Sequence, residues 1–258
     1  MTDHAPTVPE RLLARLADLA AELERRGDAR ALLGLGSVGV DLERLDEHSD
    51  LDFFVIVDDD ALPRYLGSVD WLEAVHPLAF SFANTVDGRK ALWADGLFAE
   101  YAVFTLDALA GIPYSPGRVV WRRDDTPDSI AYPQQPLPVP GRSSLEWLVG
   151  EALTNLYVGL HRYRRGERLS GMRLVQVFAV DRILEIAGVL GLATAPQQDV
   201  FAVERSAERR LASDAVPIAD LAQGYDRTPE SALAALAWLE AHVAVDPSVA
   251  REVRLLTG

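Results

Sequence analysis

Ser49-Asp50-Leu51-Asp52-Phe53-Phe54-Val55-Ile56-Val57 is the segment around which the rest of the chain organises. The unbroken apolar run behind an Asp-x-Asp triplet reads as a buried strand that begins at a polar end. Successive side chains of a strand alternate faces, so Asp50 and Asp52 project from the same side. Two anions at that spacing repel each other. A divalent cation relieves the repulsion, and Mg²⁺ is commonly held by one or two carboxylates plus substrate phosphates. Upstream, Ala31 to Leu35 is a short apolar strand candidate that runs directly into Gly36-Ser37.

Thr7-Val8-Pro9-Glu10 carries a helix-start signature, with Thr7 as cap and Glu10 three residues on. Leu12, Leu13, Leu16, Leu19, Ala20 and Leu23 then recur at helical spacing up to Gly27. Asp58-Asp59-Asp60 reads as a solvated strand exit. From Leu78 to Thr105, three strand-like runs are separated by Asp87-Gly88 and Asp95-Gly96, which are hairpin signals. The predicted meander is Leu78 to Thr85, Arg89 to Ala94 and Leu97 to Thr105. On the last strand Glu100 is the single charge on a face shared with Phe98, Ala102 and Phe104. Lys90 falls on the middle strand, where a solvent-facing position is expected.

Prolines crowd residues 125–142 and block helix and sheet ladder alike, so this stretch reads as a linker or an extended wrap. Beyond it the pattern is helical. Ser143 and Glu146 form a second capping box ahead of an apolar stripe through Leu160, and Met172 to Leu190 is apolar nearly all round. Further helices are expected over Gln198 to Leu211, Thr228 to Val243 and Ser248 to Leu256. The predicted class is α+β. A catalytic domain at 1–124, with a mixed or antiparallel sheet flanked by helices, is followed by the linker at 125–142 and a helical bundle at 143–258.

Composition narrows the function. The chain has 258 residues, no cysteine and a net charge of −14, with Lys90 its sole lysine. Thiol catalysis and cysteine-bound zinc are excluded, and a generally acidic surface disfavours nucleic acid. No apolar stretch reaches membrane-spanning length. The N-terminal residues lack a signal pattern, so a cytoplasmic location without membrane attachment is expected.

Three features thus stand in sequence: a Gly-Ser turn after a first strand, a strand beginning with Asp-x-Asp, and a lone carboxylate on a later strand. Gly36 and Ser37 suit close approach of backbone N–H groups to a triphosphate. Asp50 and Asp52 suit Mg²⁺. Glu100 suits a third metal ligand or a general base. Leu35-Gly36-Ser37 with Ser49-Asp50-Leu51-Asp52-Phe53-Phe54-Val55 resembles the DNA polymerase β-like nucleotidyltransferase superfamily. The meander and Glu100 are similar to its antibiotic-modifying branch, the lincosamide and aminoglycoside nucleotidyltransferases. Where the family pattern has a further glycine this chain has Asp41, and Gly39 is the nearest replacement.

The resemblance implies a Mg²⁺-dependent transfer of a nucleoside monophosphate, AMP from ATP in the leading form, to a hydroxyl of a small acceptor such as an antibiotic. Asp50, Asp52 and Glu100 would be catalytic, with Asp50 and Asp52 on the metal. Gly36, Ser37, Ser49 and Arg173 would bind the nucleotide. Alternatives are a protein-modifying enzyme that attaches AMP to a partner, and a degenerate member that binds a nucleotide without chemistry. The oligomeric state is left open between monomer and homodimer.

Overall fold

The computed structural model describes residues 5–137, 144–194, 199, 202–212 and 214–258. Contacts divide the chain into two compact units after Leu137.

The first unit opens with α1 (Val8–Arg26), where the Thr7–Glu10 capping box forms in full and Gly27 ends the helix. One stripe of α1, including Leu12, Leu16, Leu19 and Leu23, is buried. Six strands follow: β1 (Ala29–Gly34), β2 (Leu51–Val57), β3 (Leu78–Ala83), β4 (Gly88–Trp93), β5 (Phe98–Phe104) and β6 (Arg118–Arg122). They form one sheet in the order β3-β4-β5-β2-β1-β6. Among the described residues only β2 and β5 pair in parallel, so the sheet is mixed. Short helices α2 (Leu62–Gly67), α3 (Asp70–Glu73) and α4 (Leu106–Ala110) sit in the connections.

The buried run of β2 serves two cores, because its side chains alternate. Phe53, Val55 and Val57 pack with α1, Tyr65, Trp71, Trp93 and Tyr101 on one face. Phe53 stacks on Tyr101 at 5.2 Å between ring centroids, and Trp71 meets both rings edge-on. Ile56 and Phe54 join Ala31, Leu33, Phe104, Leu109, Tyr114 and Ile130 on the other face. That second core covers only the C-terminal half of β2 and β5. Their N-terminal half, with Asp52 and Glu100, continues the same face beyond it.

Several expectations need correction. Gly88 belongs to β4, and the first hairpin turns through Asn84 to Asp87, because Asn84 and Thr85 N–H groups both reach the Gly88 carbonyl. The Asp95-Gly96 turn is tight, with Gly96 at φ +88°. Asp58 is no solvated exit: it accepts from Arg123 at 2.7 and 3.1 Å and pairs with Arg30 at 2.6 Å. Strand β6 and helices α2, α3 and α4 form where no element is expected from the sequence. Residues 125–137 wrap over the sheet, with Ile130 and Ala131 buried and both the Ile130 and Tyr132 carbonyls accepting from the Tyr114 hydroxyl. Residues 138–142 of the proline-rich stretch lie outside the described residues.

The second unit is helical, as its apolar periodicity requires. Ser144 caps α5 (Leu145–Arg164) by accepting from the Trp147 N–H; the expected cap, Ser143, lies outside the described residues. Next come α6 (Arg168–Arg173), a π-helical turn (Leu174–Phe178) and α7 (Ala179–Val189). The predicted Met172 to Leu190 helix is therefore broken by one wide turn. Buried Gln176 sits in it and uses its amide to bond Gly224 N–H, Gly224 carbonyl and the Thr228 hydroxyl. The α5–α6 crossing is close because it is built on glycine: a Cβ at Gly171 would stand 2.7 Å from the Gly159 carbonyl oxygen. Of the helix expected at 198–211, only α8 (Ala207–Arg210) forms among the described residues; positions 198, 200 and 201 lie outside them. The unit is completed by α9 (Ile218–Leu221), α10 (Thr228–His242) and α11 (Pro247–Thr257). Among the described residues no helix is long and apolar enough to cross a membrane.

Candidate functional site

The parallel β2–β5 pairing places Asp52 directly beside Glu100. Partners in register share a face, so the two carboxylates stand on neighbouring strands of one sheet surface, near the strands' starting ends. The antiparallel β4–β5 pairing sets Lys90 beside Glu100 in the same row. Lys90 Nζ lies 2.9 Å from Glu100 Oε2, and Asn84 donates to Glu100 Oε1 at 3.1 Å. The Lys90 ammonium is pushed up, first by its hydrogen bond to Glu100 and then by that carboxylate's charge, with Asp50 and Asp52 adding to the field. All three acids therefore act on one cation of the chain itself.

The Gly-Ser segment closes the other flank. Beyond β1 the chain makes a 3₁₀ turn, Gly36–Val38, and the Leu35 N–H is bonded to the Asp52 carbonyl at 2.8 Å. Gly36 has φ +52°, and a Cβ placed there would stand 3.0 Å from Asp52 Oδ2. Absence of a side chain thus brings the loop backbone against the carboxylate. The first N–H groups of such a turn have no acceptor within it. Gly39 is equally constrained, since its Cβ would stand 2.9 Å from the Gly34 carbonyl oxygen. Gly39 thus occupies a place that leaves no room for a side chain. Arg118 of β6 pins the loop by donating to the Val38 carbonyl through Nε and Nη2 at 3.3 and 3.0 Å.

Ser49 acts locally. Its hydroxyl donates to Asp46 Oδ1 and accepts from the Asp46 N–H, forming the turn that feeds Asp50 into β2. Next to it is a cavity of about 390 Å³ lined by Asp50, Ser49, His48, Arg11, Leu97 and Phe98 among others. Asp50, Asp52, Glu100, Gly36, Ser37 and Ser49 thus all belong to the first unit, around the starting end of β2. Arg173 is the last residue of α6 in the second unit, exposed, with its guanidinium 5.8 Å from the Phe178 ring.

From sequence, Glu100 is expected as a third metal ligand or as a general base. Among the described residues no three His, Cys, Asp or Glu side chains gather to hold a single metal ion. Glu100 is drawn to Lys90 and Asn84, so it does not complete a three-carboxylate cage. The Asp50–Asp52 pair fits a cation that takes its remaining ligands from phosphates and water.

The sequence places Lys90 only as a solvent-facing residue and singles out neither Asn84 nor Arg118. For Lys90 a signal existed: counting outward in equal steps from Asp95 pairs position 90 with position 100. Asn84 and Arg118 carry no comparable mark, since their roles follow from a loop conformation and from the placement of β6.

No family model matches the sequence, and no curated protein matches it. Among solved structures, an aminoglycoside 6-adenyltransferase from Bacillus subtilis aligns over 98% of this chain and 92% of its own, at 12% identity and TM-score 0.33. A nucleotidyltransferase-like protein from Exiguobacterium sibiricum aligns over 89% of this chain and 75% of its own, at 10% identity and TM-score 0.31. Likenesses this distant assign neither a family nor an activity.

Proposed function

We propose that the protein is a Mg²⁺-dependent nucleotidyltransferase that moves a nucleoside monophosphate, AMP from ATP in the leading form, onto a hydroxyl of a small molecule. The observation that carries this reading is the Gly36 backbone set against the Asp52 carboxylate while Glu100 stands beside Asp52 in register. A phosphate cradle, a pair of metal-binding acids and a separate carboxylate are the parts that in-line transfer needs.

Asp50 and Asp52 would hold the cation. Bound Mg²⁺ supplies neutralisation of phosphate charge and alignment of the α-phosphorus. The N–H groups of Gly36 and Ser37 would bind phosphate oxygens, the Val38 N–H being bonded to the Leu35 carbonyl. The acceptor hydroxyl forms a bond to the α-phosphorus, the bond from that phosphorus to the bridging oxygen breaks, and pyrophosphate leaves. The hydroxyl proton passes to Glu100, whose carboxylate Lys90 and Asn84 hold at the sheet surface.

Release of pyrophosphate from Mg²⁺–ATP, screened across hydroxyl compounds, tests the reading. Asp50→Asn and Asp52→Asn should each lower release by about a thousandfold or more with an unchanged thermal melt. Wild-type release in both variants would remove the metal assignment. A second reading draws on the Lys90–Glu100 ion pair: with Glu100 occupied, the chain binds nucleotide without transfer. Calorimetric binding of Mg²⁺–ATP with no release on any acceptor would support it.

A further inference from the structure

The open sheet face that carries Asp52 and Glu100 continues past Lys90 to the edge strand. Register pairs Phe82 with Lys90 and Phe80 with Leu92, and then Lys90 with Glu100 and Leu92 with Phe98. Phe80, Phe82, Leu92 and Phe98 therefore share the face of Glu100. Arg89, one position from Lys90, points the other way, donating to the Ser81 hydroxyl and the Leu66 carbonyl on the covered face. Phe80 is 53% and Phe82 45% exposed, with ring centroids 5.6 Å apart. An edge strand is ordinarily blunted with charge, so two rings left in water there mark a binding surface.

We propose that this strip seats an apolar ring of the acceptor, which is then an alcohol with a flat hydrophobic ring system rather than a bare polyol or a polycation. The hydroxyl's fate rests on the nucleotidyl-transfer reading; the strip itself does not. Strand order places the Gly36–Ser37 cradle beyond β2, on the side of Asp52 away from Glu100. The strip is thereby left to the other substrate. β3 lies two strand spacings from β5, so a ring over Phe80 and Phe82 sits about 10 Å from Glu100. A molecule of two or three fused or linked rings spans that distance. A peptide strand added outside β3 would lie about four spacings, roughly 19 Å, from Asp52. Its side-chain hydroxyl could not reach the carboxylates, which argues against a protein acceptor.

The test uses the full chain and 4-biphenylmethanol as probe, with myo-inositol as the polyol control that lacks an apolar flat ring, followed by saturation-transfer NMR. The probe should bind the wild type. The double variant Phe80→Ala/Phe82→Ala should bind it about tenfold more weakly or worse, with Phe82→Leu in between. Inositol should show no comparable binding. Asp52→Asn should keep probe affinity within about twofold while losing pyrophosphate release. Equal affinity in a natively folded double variant, checked by circular dichroism, overturns the proposal, as does absence of binding to the wild type. So does a double variant that turns a dimer into a monomer while probe affinity is unchanged, because the rings then serve contact between copies. If no alcohol elicits release but probe binding still follows the two phenylalanines, the strip stands and the transfer reading falls.

Discussion

At the scale of single residues, Gly36 does what no other residue could do in its place. Its φ of +52° is costly for any side chain with a Cβ, and that Cβ would press on Asp52 Oδ2 at 3.0 Å. Gly36→Ala should cost about 1 kcal/mol of stability. It should weaken Mg²⁺–ATP binding at least tenfold by moving the loop from the carboxylate. Chemical denaturation and calorimetry measure the two effects separately, and ordinary nucleotide affinity in this variant would show that the 36–38 turn does not touch phosphate. The Gly-Ser pair and the Asp-x-Asp were legible in sequence because each is a local pattern with a local cause. The Lys90 partnership was legible only by counting across the Asp95-Gly96 turn. It depends on which residue of a neighbouring strand lies opposite Glu100, and a register is fixed by the whole hairpin.

At the scale of elements, β2 joins the site at one end to an ion-pair knot at the other. Asp58, just past its last residue, ties β1 through Arg30 to the end of β6 through Arg123. The hydrogen bond from Arg123, helped by the charges of Arg123 and Arg30, holds the Asp58 carboxyl below its ordinary 3.8. A carboxyl that releases its proton more readily in the folded state stabilises the fold fully above about pH 4. It loses that contribution as pH falls through the folded value. Asp58→Asn should therefore destabilise the protein by about 1–2 kcal/mol at pH 7. The gap from wild type should narrow as pH falls below the ordinary 3.8, as urea melts at pH 7 and at acid pH would show. The sequence showed three acids in a row and their strand, whereas their unequal fates depend on β6. That strand was missed because Arg118, Arg122 and Arg123 interrupt the alternation by which strands are recognised. Similarly, α1 was readable from its capping box, but nothing local marks the π turn at Leu174–Phe178, where the buried Gln176 amide answers a loop some fifty residues away.

At the scale of the whole molecule, separate hydrophobic cores account for why the α/β and helical parts could be told apart by periodicity alone: each unit buries its own apolar residues. What periodicity cannot show is where the large negative charge of the chain meets burial. In the second unit Asp181 of α7 is half-buried, and its carboxyl is raised to about 6, first by burial and then by the field of Glu204. Arg182 opposes the shift, and Glu185 adds to it. Between the ordinary value of 3.8 and about 6 the folded state binds the extra proton, so stability falls as pH rises through that window. Above it the full cost of a half-buried anion is present. Asp181→Asn should accordingly stabilise the protein at pH 7.5 by about 1–2 kcal/mol, allowing for solvent screening of a half-exposed group. The gain should vanish at pH 4, where wild type is protonated as well. Thermal melts of both proteins at the two pH values decide the matter: a gain of equal size at pH 4 would mean that the substitution acts through packing, and that the Asp181 charge is not what the fold resists.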